Sequence, residues 1–189
     1  MRVSSSTPPS SYYETIDKQQ KAMLRIAVGQ RINTAADNAA IIEISEAMNG
    51  QIKGYNQATN NIYNSSGLLA TSESSMSDST DVLQRMRELN IQSSNGTYTD
   101  EDRAALQGEM TQLRAQLDSN ATNTEFNTLK TNDGSLTNFT TQVGPNSGDT
   151  ISLSIGDTSS TGLGINYDIS TQSAALNNLQ SIDNGLQNL

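Results

Sequence analysis

Counting in sevens from Ile41 reaches Met48, Tyr55, Ile62, Leu69, Met76 and Leu83, an unbroken apolar row in an otherwise polar segment. A heptad sustained over this distance predicts one long helix with a packing seam along one side. The companion row is weaker, running Ile44, Gln51, Ala58, Ser65, Ser72, Ser79 and Met86. A row of large residues beside a row of small polar ones predicts close packing along a narrow seam, not a simple two-stranded zipper. From Ile41 to Leu83 such a helix measures roughly 63 Å. A globule of this chain length would be only about 40 Å across, from a radius of gyration of ~16 Å. The pattern predicts a rod.

Shorter periodic segments flank the long helix. The run SYYE, Ser11 to Glu14, is a capping-box pattern that starts a first helix after the Ser- and Pro-rich opening, Met1 to Ser10, which reads as frayed. Its seam is Tyr13, Ile16, Gln20, Met23 and Ala27, and Gly29 ends it. The long helix begins near Asn33 or Thr34, where TAAD offers a second capping box, and covers 34–93. It stops in the turn-rich Ser93 to Thr99, a link short enough to force an antiparallel neighbour. That neighbour, helix 99–120, has Thr99 as its cap and Asp100, Glu101 and Asp102 at the positive end of its dipole. Its seam is Leu106, Met110, Leu113 and Leu117, and it reaches along only part of the long helix.

The period then changes to two. Phe139, Thr141 and Val143, the turn GPNSG, and Ile151, Leu153 and Ile155 predict a β-hairpin over 138–156, laid against the end of the rod. After a loop, helical spacing returns at Ala175, Leu179, Ile182, Leu186 and Leu189, in a last helix over 171–189 that stops without a stop signal. The fold class is mainly α: an elongated antiparallel helical bundle with a small β-hairpin element.

Composition acts mostly by exclusion. Of 189 residues, 33% are hydrophobic and 4% aromatic, too few for a round core yet too regularly placed for a disordered chain. A net charge of −9 leaves no basic stripe for nucleic acid or an anionic membrane surface. With no Cys and no His, disulfides, Cys or His zinc sites, thiol nucleophiles and His-based triads are excluded. The acids of TDED, Thr99 to Asp102, point around a helix and already serve its dipole, which argues against a metal. Asp149 and Asp157 read as turn residues beside a hairpin strand, and the methionines at 23, 48, 76, 86 and 110 as seam filler. The sequons NGT at Asn95 and NFT at Asn138 are what chance produces in so Asn-rich a chain. No catalytic constellation, metal site or cofactor site emerges, so the chain reads as a non-enzyme. The opening has no apolar signal-peptide core, and no apolar run approaches membrane-spanning length.

Eight stretches then fall in a recognisable order between Gly29 and Asn184: GQRIN, ADNAA, GQIKG, LQRMREL, QSSNGT, EDRAALQGEMTQLRAQLDSNATNTEFN, QVGPNSGDTISLSI and ALNNLQSIDN. In these the chain closely resembles bacterial flagellin, the subunit of the flagellar filament. It departs from the family in reading IAVGQRIN for LSSGLRIN, in having Asp37-Asn38 for a paired aspartate, and in a shorter segment before Gly29. The resemblance implies a short form, without the outer domains and without most of the C-terminal region that pairs with the first helix. It implies residues 1–30 as a filament-core-type helical segment and 31–189 as an inner rod domain. It also implies a structural subunit that self-associates through helical rod contacts for motility. Such a subunit is extracellular, on the flagellum, after type III export without a cleaved signal peptide; the absence of Cys suits that route. The alternative is a secreted, non-polymerising flagellin-like binding protein, either a hook–filament junction component or a receptor-engaging fragment.

One patch stands out, in LQRMRELNIQSSNG, Leu83 to Gly96. Asp81 and Arg85 have the spacing of a weak surface ion pair, with Glu109 on the neighbouring helix within reach. Leu89, off the heptad row and on the face of Arg85, is left unexplained by that pair and has the make-up of an interface anchor. The resemblance implies that Gln84, Arg85, Glu88, Leu89 and Glu109 form a subunit-contact patch, also read by the host Toll-like flagellin receptor. Other flagellin subunits are the implied partners, with flagellar junction and export proteins beside them. Two further expectations follow. The last helix should cover about 28 Å of seam that the third does not reach. The first helix should lack a partner in this chain, leaving the residues before Gly29 poorly ordered in the monomer and the chain alone unable to form filaments.

Overall fold

A computed structural model describes residues 10–29 and 35–189 of the chain. The frayed opening up to Pro9 and the TAAD cap at Thr34 lie outside the described residues. The elements are α1 (Ser10–Val28), α2 (Ala35–Ser94), α3 (Asp100–Asn123), β1 (Glu125–Phe126), β2 (Leu129–Lys130), β3 (Phe139–Gln142), β4 (Thr150–Leu153) and α4 (Gln172–Asn188). The chain divides into two compact units, Met1–Lys53 and Gly54–Leu189.

In the first unit, α1 begins one residue before the capping pattern, so Ser11 lies inside the first turn and not at the cap. Gly29 ends it with φ +69°, a left-handed conformation that glycine adopts without strain. No residue of α1 is buried, and Tyr13 and Met23 of its expected seam are 60% and 67% exposed. Lys21 and Asp17 form an i,i+4 pair at 2.8 Å. On α2, Ile41 and Met48 are exposed as well, so the heptad row is not a buried seam in this unit.

The second unit is organised by the turn between α2 and α3. Thr99 and Asp102 form a capping box: the Asp102 N–H donates to Thr99 Oγ1 at 3.2 Å, and the Thr99 N–H to Asp102 Oδ2 at 3.0 Å. The buried Arg103 closes the other side of the turn. Its Nε donates to Ser93 O (2.9 Å), its Nη2 to Asn95 O (3.0 Å) and its Nη1 to Asp100 Oδ1 (3.0 Å). A cation is thus set on the carbonyl end of α2, where the helix dipole favours it. From there α3 runs back along α2: Arg85 meets Glu109, and Ser75 bonds to Asn120 O and Thr124.

The last helix does not extend this coverage, contrary to the expectation of a separate stretch. Gln172 bonds to Ser94 O and Arg87 pairs with Asp183, so α4 also starts at the turn and lies along the same part of α2 as α3. The reason is the segment 156–171, which is more than a loop. Its Leu163, Ile165 and Ile169 enter the main core with Val82, Leu83, Met86 and Leu89 of α2, Met110 and Leu117 of α3, and Ala175 and Ile182 of α4. Gln107 holds it by accepting from Ile169 N (2.6 Å) and donating to Tyr167 O (3.0 Å), and Arg114 stacks over the Tyr167 ring at 4.1 Å. Leu106, Leu113 and Leu186 pack against this core half-buried, and Leu179 is half-buried on α4.

The β elements cover the remainder of α2 in this unit. β3 and β4 pair antiparallel, from Phe139 opposite Leu153 to Gln142 opposite Thr150, inside the expected 138–156. Within this unit the hairpin lies along the side of α2 from Gly54 to Ser65. Pro145 meets α2 at Gly54, Asn61 Nδ2 donates to Gln142 O at 3.1 Å, and Ser65 and Thr141 share a hydroxyl bond at 2.7 Å. A second hairpin, β1–β2, was not legible in the sequence. It turns through Asn127 and Thr128, both at positive φ (48° and 67°), and places Phe126 against Gly67. Beneath the two hairpins, Leu68, Leu136 and Ile155 form a small second core, with Met76, Phe126, Phe139 and Leu153 packed on it.

On α2, burial in this unit follows the small-residue row. Ala58, Ser72, Ser79, Met86 and Ser93 are buried and Ser65 half-buried, whereas Tyr55, Ile62 and Leu69 of the large-residue row are 56%, 46% and 43% exposed. Only at Met76 and Leu83 does the heptad row turn inward. The expected seam is therefore a core row at one end of the unit and an exposed stripe at the other.

Gly54 tests the close approach. A Cβ there would stand 2.6 Å from Pro145 Cβ and 3.1 Å from its Cα. Gly54→Ala should lower stability by about 1–3 kcal/mol in urea unfolding, as overpacking does. The open helical position Gly108 should behave oppositely, Gly108→Ala gaining about 0.5–1 kcal/mol from helix propensity. Equal gains at both positions would mean that the hairpin does not bear on α2 at Gly54.

Candidate functional site

The patch expected around Arg85 is assembled by α2 and α3. Gln84, Arg85 and Glu88 are exposed on successive turns of α2, and Glu109 faces them, half-buried, from α3. Arg85 Nη1 reaches Glu88 Oε2 at 2.9 Å, its Nε donates to Glu109 Oε1 at 2.9 Å, and its Nη2 stands 2.8 Å from the same oxygen. These two acids, not Asp81, are its partners. Their hydrogen bonds, that of Glu88 first, raise the guanidinium pKa above its ordinary value. The side chains of the trio are 43–67% exposed, so water screens the pairs and their stabilising effect is small.

Leu89 is placed differently from the surface anchor that its spacing suggested. It is fully buried, between α2, α3 and α4, as part of the main core. Its position off the heptad row is the reason: that row and the face of Arg85 diverge around the helix, and α3 and α4 cover the arc between them. Leu89 supports the charged patch from below and contributes nothing to its surface.

A second exposed feature was not expected. Ile62 and Leu69 of α2, with Val143, Ile151 and Leu153 of the β3–β4 hairpin, line an apolar groove along the side of the unit. Ile151 at its rim is 60% exposed. The heptad supplied Ile62 and Leu69, but only the hairpin's placement along α2 makes a groove of them. The Arg87–Asp183 pair (2.6 Å) ties α4 to α2, while Arg114 and Asp118, an i,i+4 pair within α3 (3.5 Å), hold the 156–171 segment at Ser160, whose hydroxyl accepts from Arg114 Nε (3.2 Å) and whose N–H donates to Asp118 Oδ1 (2.8 Å). Asp102 has its pKa lowered, first by the Thr99 backbone N–H and then by the Thr99 hydroxyl, so TDED works as a helix cap. Among the described residues no group of three or more acidic side chains converges on one point.

What these elements define is a helix-dominated structural unit whose surface chemistry consists of a charged patch and an apolar groove. A family model for the bacterial flagellin N-terminal helical region matches residues 3–137, and the chain belongs to that family. It is 50% identical over 115 residues to a flagellin of Clostridium tyrobutyricum, covering 61% of this chain and 30% of that one. It is 41% identical over 140 residues to a flagellin of Halalkalibacterium halodurans, covering 74% and 52%. The crystal structure of Bacillus cereus flagellin superposes with a TM-score of 0.61 at 28% identity, over 69% of this chain and 76% of that one. The chain thus spans about half or less of the length of these two curated relatives.

The two roles within the patch are separable by mutation. Leu89→Ala should cost about 2–5 kcal/mol in urea unfolding, the price of a core cavity. Arg85→Ala should leave the unfolding midpoint nearly unchanged, because water already screens its exposed ion pairs. Comparable losses would mean that Leu89 is not in the core.

Proposed function

We propose that this chain is a structural subunit of a bacterial flagellar filament and associates with its own kind through helical contacts, for motility. The observation that carries this reading is the family match over residues 3–137, which spans α1 and the whole of α2 and α3. The distribution of apolar surface supports it. Tyr55, Ile62 and Leu69 are large, regularly spaced and exposed, and a sustained apolar row left open to water marks an interaction surface. No helix among the described residues is long and apolar enough to cross a membrane.

Within that reading, residues 1–30 serve as a filament-core-type helical segment and 31–189 as an inner rod domain. Gln84, Arg85, Glu88 and Glu109 form a contact patch for a neighbouring subunit, with Leu89 holding its shape from below. The same patch is the surface we assign to recognition by the host flagellin receptor. The protein works outside the cell, reached by type III export without a cleaved signal peptide, alongside flagellar junction and export proteins. The flagellin relatives favour a filament subunit over a non-polymerising binding protein.

Binding to seeds tests the proposal. Labelled chain mixed with fragments sheared from the filament of a flagellin relative should bind saturably. The double variant Ile62→Asp, Leu69→Asp should bind at least about tenfold more weakly, as loss of interface anchors does. A chain that ignores the seeds at every concentration would contradict the assignment.

A further inference from the structure

The link between α2 and α3 contains an Asn-Gly pair, and two others lie inside helices. Asn95-Gly96 is exposed in the turn, Asn49-Gly50 lies within α2, and Asn184-Gly185 within α4. We propose that Asn95 is a site of spontaneous covalent modification, with water as the only co-reactant. The Gly96 backbone nitrogen attacks Asn95 Cγ, forming an N–Cγ bond. The Cγ–Nδ2 bond breaks, and the amide leaves as ammonia with the proton given up by Gly96. Water then opens the five-membered succinimide at either carbonyl, giving aspartate or isoaspartate. No electron is gained or lost.

Local geometry favours the attack. The Thr97 N–H donates to Asn95 Oδ1 at 3.2 Å, closing a turn that folds the side-chain carbonyl back over the Gly96 peptide. The same bond polarises that carbonyl toward a nucleophile. Nothing in the fold requires glycine at 96. No left-handed φ is recorded there, and a Cβ would meet only the Gln172 side-chain amide, at the ordinary contact distance of 3.4 Å. Its consequence is chemical, since the nucleophilic nitrogen is left unhindered. At Asn49 and Asn184 the following amide is tied into the i→i−4 helical ladder and the backbone cannot swing to form the ring.

The product changes the turn. Asn95 O accepts from Arg103 Nη2 at 3.0 Å and from Tyr98 N at 3.4 Å. An isoaspartate routes the main chain through the β-carbon, so the Asn95 carbonyl that Arg103 holds becomes a free α-carboxylate and no longer continues the chain into Gly96. Either product also adds a negative charge at the carbonyl end of α2, where the helix dipole opposes it. The modification loosens the α2–α3 reversal.

Incubating the full chain in mildly alkaline buffer, then digesting it and analysing the peptides by mass spectrometry, tests this. The Asn95 peptide should convert at least about tenfold faster than those of Asn49 and Asn184, because helical amides react only after local opening. Unfolding the chain in urea should bring the three rates together. Gly96→Ala should slow conversion at Asn95 while leaving the circular dichroism unchanged. Equal rates in the folded chain would overturn the proposal, as would a folded Gly96→Ala variant that converts as fast as the parent. If that variant fails to fold, the comparison of the three sites within the unaltered chain decides.

Discussion

A helix that other backbone must approach closely has to carry short side chains on the approached face. The rest of the Gly54–Leu189 unit depends on α2 meeting that condition. Gly54 admits Pro145, Ser65 meets Thr141, Ser72 bonds to Asn132, and Ser75 bonds to Asn120 O and Thr124. Each contact brings a strand, a turn or a helix end close to the α2 backbone, closer than a leucine in the same place would permit. Hydroxyls suit the role because they are small and satisfy polar groups that arrive with the approaching backbone. At Leu83, Met86 and Leu89, where α3 and α4 converge, the face changes to large apolar residues and a conventional core begins.

From this one constraint the placement of the exposed surface follows. Large residues seven apart cannot all be buried when the buried arc is lined by Ala58, Ser65 and Ser72, so Tyr55, Ile62 and Leu69 face outward. The apolar groove beside the hairpin is their product. A flagellin-family chain built this way keeps its own fold with one face of α2 and leaves a different, apolar face exposed. The charged group at Arg85 lies beyond the core on the covered half, where burial of Leu89 fixes the positions of the helices that carry it.

The elements were readable in the sequence because each rests on local chemistry. Thr99 with Asp102 fixes the start of α3, Gly29 the end of α1, and alternation across Phe139–Val143 and Ile151–Ile155 the main hairpin. What was not readable depends on distant partners. The heptad row announced a helix, but which of its two rows is buried is decided by residues 60 or more positions away, such as Asn132 and Thr141. The β1–β2 turn uses Asn127-Thr128, which lacks the glycine that signals such turns, and a β-branched residue at positive φ is unusual. The segment 156–171 has too little periodicity to reveal that it carries three core side chains. Arg103 gave no signal, because its partners are backbone carbonyls. Leu89 has the spacing of a surface anchor yet is buried, since spacing alone does not say which arc of α2 is covered.

The chain contains no cysteine, which makes the central claim directly measurable. Single cysteines placed at Ile62, Leu69, Ser72 and Ser79 report which row of α2 faces water through their rates of reaction with a thiol reagent. The account predicts rapid labelling of Ile62→Cys and Leu69→Cys in the folded chain, and labelling of Ser72→Cys and Ser79→Cys slower by about a hundredfold or more. Protection at 62 and 69 with rapid reaction at 72 and 79 would contradict it, because the large-residue row would then be the buried one.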